Sequence, residues 1–174
     1  PQPGEIVFEA GRVNAEAGST VTVPVTVSGE YEAHILNMQI NYDDSVLTVN
    51  DVLRGDVLQL AQNLGGTIIV NYTAIPGSIR IGVMMPEDGF GGSGVIANIE
   101  FNVSSAADGE YPIEVVVTEF KNFPAGGAAT EIPHFEIDGA VVVGVVNTPI
   151  LTPTPTPTPA PPTPAPPTTE PPAE

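Results

Sequence analysis

Residues 35–42, ILNMQINY, decide the fold. Leu36, Met38, Ile40 and Tyr42 alternate with Ile35, Asn37, Gln39 and Asn41. Successive side chains of a strand point to opposite faces, so a period of two turns one set toward a core and the other toward solvent. The same alternation returns at Val21, Val23, Val25 and Val27; at Ile68, Val70 and Tyr72, against Ile69 and Asn71; at Ile79, Ile81, Val83 and Met85; and at Val95, Ala97, Ile99, Phe101 and Val103. Segments 113–118 and 139–145 are more uniformly apolar. Turn signals separate these runs: Ala17-Gly18-Ser19, Ser28-Gly29, Pro76-Gly77-Ser78, Asp108-Gly109 and Asp138-Gly139. Pro24 inside a strand implies an edge or a bulge. Asp56 to Asn63 suits a helical turn, with Asp56 as its cap. One face in and one face out is the signature of antiparallel sheet. About nine short strands predict an all-β sandwich of jelly-roll topology.

The 174-residue chain sets 4 Lys+Arg against 21 Asp+Glu, a formal charge of −17, and has no Cys and no Trp. Such a charge repels phosphate backbones and excludes nucleic-acid binding. No apolar run is long enough to span a bilayer, and no basic amphipathic segment suits a lipid surface. The absence of Cys removes disulfides, thiolate metal sites and cysteine nucleophiles together. The opening PQPGEIVF lacks the charged and apolar regions of a signal peptide. Twelve of the 20 prolines lie between Pro149 and Pro172. The chain therefore divides into a sandwich domain, residues 1–147, and a Pro/Thr-rich linker, residues 148–174. Lacking amide donors and apolar bulk, the linker is expected to be an extended polyproline II spacer and a candidate O-glycosylated stalk.

Signs of catalysis are weak. His34 and His134 stand 100 residues apart beside apolar neighbours, which favours structural roles over zinc ligation or base catalysis. Asp43-Asp44, Glu87-Asp88, Glu30 and Glu32 offer carboxylates for a glycosidase pair, but a solvated acidic surface explains them better. No nucleophile elbow occurs. The glycines of GFGGSG at 89–94 lack the Lys and helix of a phosphate loop. No calcium-loop pattern is present, so no metal or other cofactor is expected on this chain. The sequons at Asn71 and Asn102 fall within strands. Sugar platforms favour Trp, and Tyr42, Tyr72 and Phe101 fall on inward faces, so a flat face suited to protein recognition remains.

Several segments, in order, resemble the cohesin domains of cellulosomal scaffoldins. GSTVTVPVTVSG at 18–29 is similar to the family's early strand, and NYDDSVLTV at 41–49 to its Tyr-Asp…Val-Leu motif, with Asp44 in place of the usual Pro. RGDVL at 54–58 resembles the Gly-Asp turn, GVIANIEFNVSSAADGEYPI at 94–113 the long strand and turn, and IDGAVVVG at 137–144 the closing strand. A Thr-Pro spacer after the domain matches scaffoldin architecture. The resemblance implies a non-catalytic, type I-like module, secreted or surface-bound and monomeric alone. Its partner would be a dockerin of an enzyme or a second scaffoldin. The calcium would sit on that dockerin, and the complex would degrade polysaccharide. It also implies a contact face: Ile35, Asn37, Gln39 and Asn41 on one strand; Ala74 and Ile75 on the next contributing strand; Met84; the acidic loop Glu87, Asp88 and Gly89; and Phe123. Asn37 stands where many type I members carry Asp, and Pro76 where they carry Tyr. Two other readings stay open, a carbohydrate-binding module and a structural surface sandwich.

Deleting residues 150–174 is expected to leave the melting temperature within about a few degrees of the full chain's by scanning calorimetry. A larger fall would show that the tail packs on the domain.

Overall fold

The computed structural model describes residues 4–123 and 127–144, so the linker expectation for 148–174 lies outside the described residues. The first half contributes β1 (Val7–Ala10), β2 (Arg12–Ala15), β3 (Thr20–Ser28), β4 (Ile35–Asn41), β5 (Leu47–Arg54) and α1 (Asp56–Asn63). Then follow β6 (Thr67–Asn71), β7 (Ser78–Met84), β8 (Gly94–Val103), β9 (Gly109–Asn122), β10 (Thr130–Glu131), β11 (Phe135–Ile137) and β12 (Gly139–Val143). One sheet runs β11-β1-β3-β8-β5; the other runs β2-β12-β9-β4-β7-β6, with β10 beside β9. The inward faces of both sheets feed a single core cluster, which makes the molecule a sandwich.

The strands number twelve among the described residues, against about nine read from periodicity. No periodic run marks β1, β2, β5, β10 or β11: four of these have two to four residues, too few to show a period, and β5 carries a register shift between Val49 and Asp51. Where the rows are long, the register is as read. Leu36, Met38 and Ile40 are at most 1% exposed. Ile35, Asn37, Gln39 and Asn41 are half-buried on the other face. Phe101 is fully buried, while Tyr42 and Tyr72 are half-buried and pack against the core from its margin.

The ends of the folded chain close the sandwich. β1 pairs with β11 and β2 with β12, both in parallel, so the chain changes sheets once between β1 and β2 and again between β11 and β12. The two changes meet at Gly11 and Gly139. A Cβ on Gly139 would lie 2.3 Å from the Gly11 carbonyl oxygen, and one on Gly11 would lie 2.8 Å from Pro24 Cδ. β3 is an interior strand, but its pairing with β1 ends at Val25. β1 thus leaves the sheet opposite Pro24 and the proline sits at a local edge, with the bulge following at Val25/Thr26. Gly11 N–H donates to the Pro24 carbonyl there at 2.8 Å.

The helix spans the expected residues with a different cap. Gly55 is the N-cap, and the position needs glycine because a Cβ there would lie 2.1 Å from the Val95 carbonyl oxygen. Asp56 is the first helical residue, and its carboxylate accepts from Val95 N–H at 2.7 Å, tying α1 to β8. Val57, Leu58 and Ala61 form the buried side of the helix.

Leu36→Ala is expected to cost about 2–5 kcal/mol in urea unfolding, through lost burial and a residual cavity. Ile35→Ala, on the opposite face, should cost well under half as much. Equal costs would mean that the strand register is wrong.

Candidate functional site

The outward face of β9-β4-β7-β6 is built in rows by strand register. Thr67, Met84, Ile35 and Lys121 form one row; Ile69, Gly82, Asn37 and Glu119 the next; Asn71, Arg80, Gln39 and Val116 the third. Asn41 lies beside Glu114 and Ser78 at the far end. Ile69 and Met84 are 62% and 63% exposed, unusually open for large apolar side chains on adjacent strands. Between them Gly82 leaves a hollow, since a Cβ there would stand 3.0 Å from Asn37 Oδ1 and 3.8 Å from Ile69 Cβ.

Glu119 owes its place to a bulge. Ile113, Val115 and Val117 point inward, and continued alternation would bury Glu119 and expose Phe120. The register slips by one opposite Asn37/Met38, Thr118 being the extra residue. Phe120 therefore turns into the core and Glu119 out beside Asn37. Thr118 Oγ1 donates to the Asn37 carbonyl at 3.1 Å across the bulge.

Polar contacts on the face are ordered. Asn37 Nδ2 donates to Glu119 Oε2 at 2.6 Å, and Lys121 Nζ to Glu119 Oε1 at 2.7 Å. Lys121 also lies 3.4 Å from Glu131. Asn41 Nδ2 donates to Glu114 Oε2 at 2.8 Å. With its amide N–H on Glu119, Asn37 turns its oxygen toward the hollow. Lys121 first, and then Asn37, hold the Glu119 carboxyl below its ordinary range, and Glu119 in turn raises Lys121.

The residues read from sequence fall into three groups. Ile35, Asn37, Gln39, Asn41 and Met84 share this face. Glu87, Asp88, Gly89 and Phe123 gather at its Ile35 end, around His34. His34 Nε2 donates to the Glu87 carbonyl at 2.7 Å, while Nδ1 accepts from Phe123 N–H at 3.3 Å. This pairing assigns Nε2 as the donor and Nδ1 as the acceptor. Gly89 packs on the same segment, a Cβ there lying 2.6 Å from Glu32 Cγ. His134 is likewise structural in its contacts: its ring packs edge-on against Phe8 and Phe120, each at 5.6 Å. Ala74 and Ile75 are not on a strand. They lie in the β6–β7 loop at the opposite end, because Asn71 Oδ1 accepts from Thr73 and Ala74 N–H and turns the chain there. The strand position facing outward is Ile69. Ile69, Arg80, Gly82 and Glu119 were not singled out by sequence. Ile69 carried a legible signal, an apolar residue on the outward phase of its strand.

The cohesin-domain family profile matches residues 6–143. The chain belongs to the cohesin domain family. Cellulose-binding protein A of Clostridium cellulovorans is 25% identical over 154 residues, a match that spans 79% of this chain and 8% of that protein. CaCohA2 in complex with the dockerin CaDoc0917 is 27% identical, with a TM-score of 0.67 over 80% of this chain and 99% of that one. CaCohA2 is a protein of Clostridium acetobutylicum. The seventh type I ScaB cohesin of Pseudobacteroides cellulosolvens shares the fold at 23% identity, with a TM-score of 0.67 over 80% of this chain and 92% of that one. Among the described residues of this cohesin no helix is long and apolar enough to cross a membrane, and no three His, Asp or Glu converge as a metal site would need.

Because the folded-state pKa of Glu119 is depressed, the Asn37–Glu119–Lys121 link is complete above the ordinary carboxylate range and is lost as pH falls through the lower folded value. By NMR, Glu119 should titrate at lower pH in the parent chain than in Lys121→Met. Identical titrations would remove Lys121 as the cause.

Proposed function

We propose that this cohesin is a non-catalytic recognition module that docks a calcium-loaded dockerin on the β9-β4-β7-β6 face. One observation carries the reading: Ile69 and Met84 stand exposed around the Gly82 hollow, beside the amides of Asn37 and Gln39. A docking helix needs an apolar anchor of this kind with polar groups alongside to fix its orientation. The relatives solved with dockerins supply the partner class. The acidic segment Glu87–Gly89 and Phe123 extend the face at one end, and Ile75 stands at the other. A partner covering this surface would bury roughly 800 Å² per side. Calcium belongs to the dockerin in this reading, and this chain contributes no metal ligand.

The setting follows from the same family. The module would act outside the cell as part of a scaffoldin, bringing a dockerin-bearing enzyme or a second scaffoldin into a polysaccharide-degrading assembly. On its own it would be a monomer. The charge of −17 would accelerate encounter with a partner rich in Lys and Arg, an effect that salt weakens.

Ile69→Asp and Met84→Asp are each expected to lower dockerin affinity by about 100-fold or more while leaving the melting temperature near the parent's, because a charge would be desolvated at the contact. Asn37→Ala should weaken binding by about five- to 150-fold. Calorimetric titration against a dockerin panel, with and without chelator, measures this. Full affinity in all three folded variants would place the site elsewhere.

A further inference from the structure

Four cations serve this chain, and three have partners. Arg12 forms an ion pair with Glu110, Lys121 binds Glu119 and Glu131, and Arg54 donates to Gln62 Oε1 at 2.9 Å. The Arg80 side chain has neither a hydrogen bond nor an ion pair among the described residues, although the chain holds 21 Asp and Glu. It stands exposed near the middle of the proposed docking face, between Asn71 and Gln39. The β9 residue completing that row is the neutral Val116. The carboxylates in the flanking positions, Glu114 and Glu119, are each held by an Asn amide of β4. Among the described residues the guanidinium is thus left without a counter-charge. Gln39 beside it also makes no side-chain hydrogen bond among the described residues.

Solvated, an unpaired Arg costs nothing. Covered by a partner it loses water on a fork of five donors, and only a planar anion replaces that water well. The geometry points to Arg80 as a specificity residue that requires a carboxylate, an Asp or Glu side chain on the docked helix, received by its guanidinium with the Gln39 amide alongside. The inference rests on the dockerin reading and sharpens it. It runs against the field of the whole chain, which attracts cations. A basic dockerin would approach readily yet leave Arg80 covered and unpaired, so Arg80 discriminates among partners after encounter.

The test is a display library of calcium-loaded dockerins with helix-surface positions varied among Asp, Glu, Ser and Lys. It is selected on the parent chain, on Arg80→Met and on Arg80→Glu, with circular dichroism confirming that each is folded. On the parent, one position should enrich in Asp or Glu. Replacing that acid by its amide should weaken binding to the parent by about tenfold or more, and to Arg80→Met hardly at all. On Arg80→Glu the same position should turn to Lys. Binders without an acid preference, or an acid preference that survives on Arg80→Glu, would overturn the assignment while leaving the dockerin reading intact. If no library member binds the parent, the dockerin reading fails and this inference fails with it.

Discussion

The sandwich depends on a contact between two backbones with no side chain between them. At Gly11 and Gly139 the first and last parts of the folded chain each leave one sheet and join the other, and Ala140 N–H donates to the Gly11 carbonyl at 3.3 Å. A Cβ at Gly139 has no room, so this corner requires glycine for space. Parallel pairs need long connections, and here nearly the whole domain is the connection between β2 and β12. The ends of the domain therefore zip together, with β11 and β2 as the outermost strands on that side of each sheet. Where β9 runs between β12 and β10, Asp138 and Glu136 accept from Val115 and Val117 N–H and cap the remaining edge.

β4 links that frame to function. It lies between β9 and β7, with a neighbour on each side, so its backbone is held along its length. Its inner residues pack the core and its outer residues lie near the middle of the candidate face. Strand pleating thus couples stability and recognition in one segment while assigning them to alternate residues. That separation makes an outward substitution informative about binding, since the core need not respond.

The face is also ordered electrically. Asn37 and Asn41, two residues to either side of Gln39, each hold a carboxylate of β9. The Asn41–Glu114 bond is exposed and the Asn37–Glu119 bond part-buried. They fix where charge is presented. The acids are drawn toward β4, and Arg80 on β7 is left without one.

The longer strand runs β3, β4, β6, β7, β8, β9 and β12, the inward and outward sets of β4, the span of α1 and the cohesin resemblance were legible in the sequence, because each depends on local spacing of apolar and turn residues. Tertiary structure decided the rest. Thr118 resets the phase of β9 and brings Glu119 to the face, and nothing local marks it as an extra residue. The carboxamide of Asn71 ends β6 and removes Ala74 and Ile75 from the strand, leaving Ile69 as its outward residue. Gly55 rather than Asp56 caps the helix, and the Asp56 carboxylate instead accepts from Val95 N–H. The isolation of the Arg80 side chain among the described residues goes with the carboxylates of β9, on the far side of β4, being held by Asn37 and Asn41. Period and propensity are properties of a segment, whereas register, close backbone approach and the pairing of charges belong to segments that meet only in the folded chain.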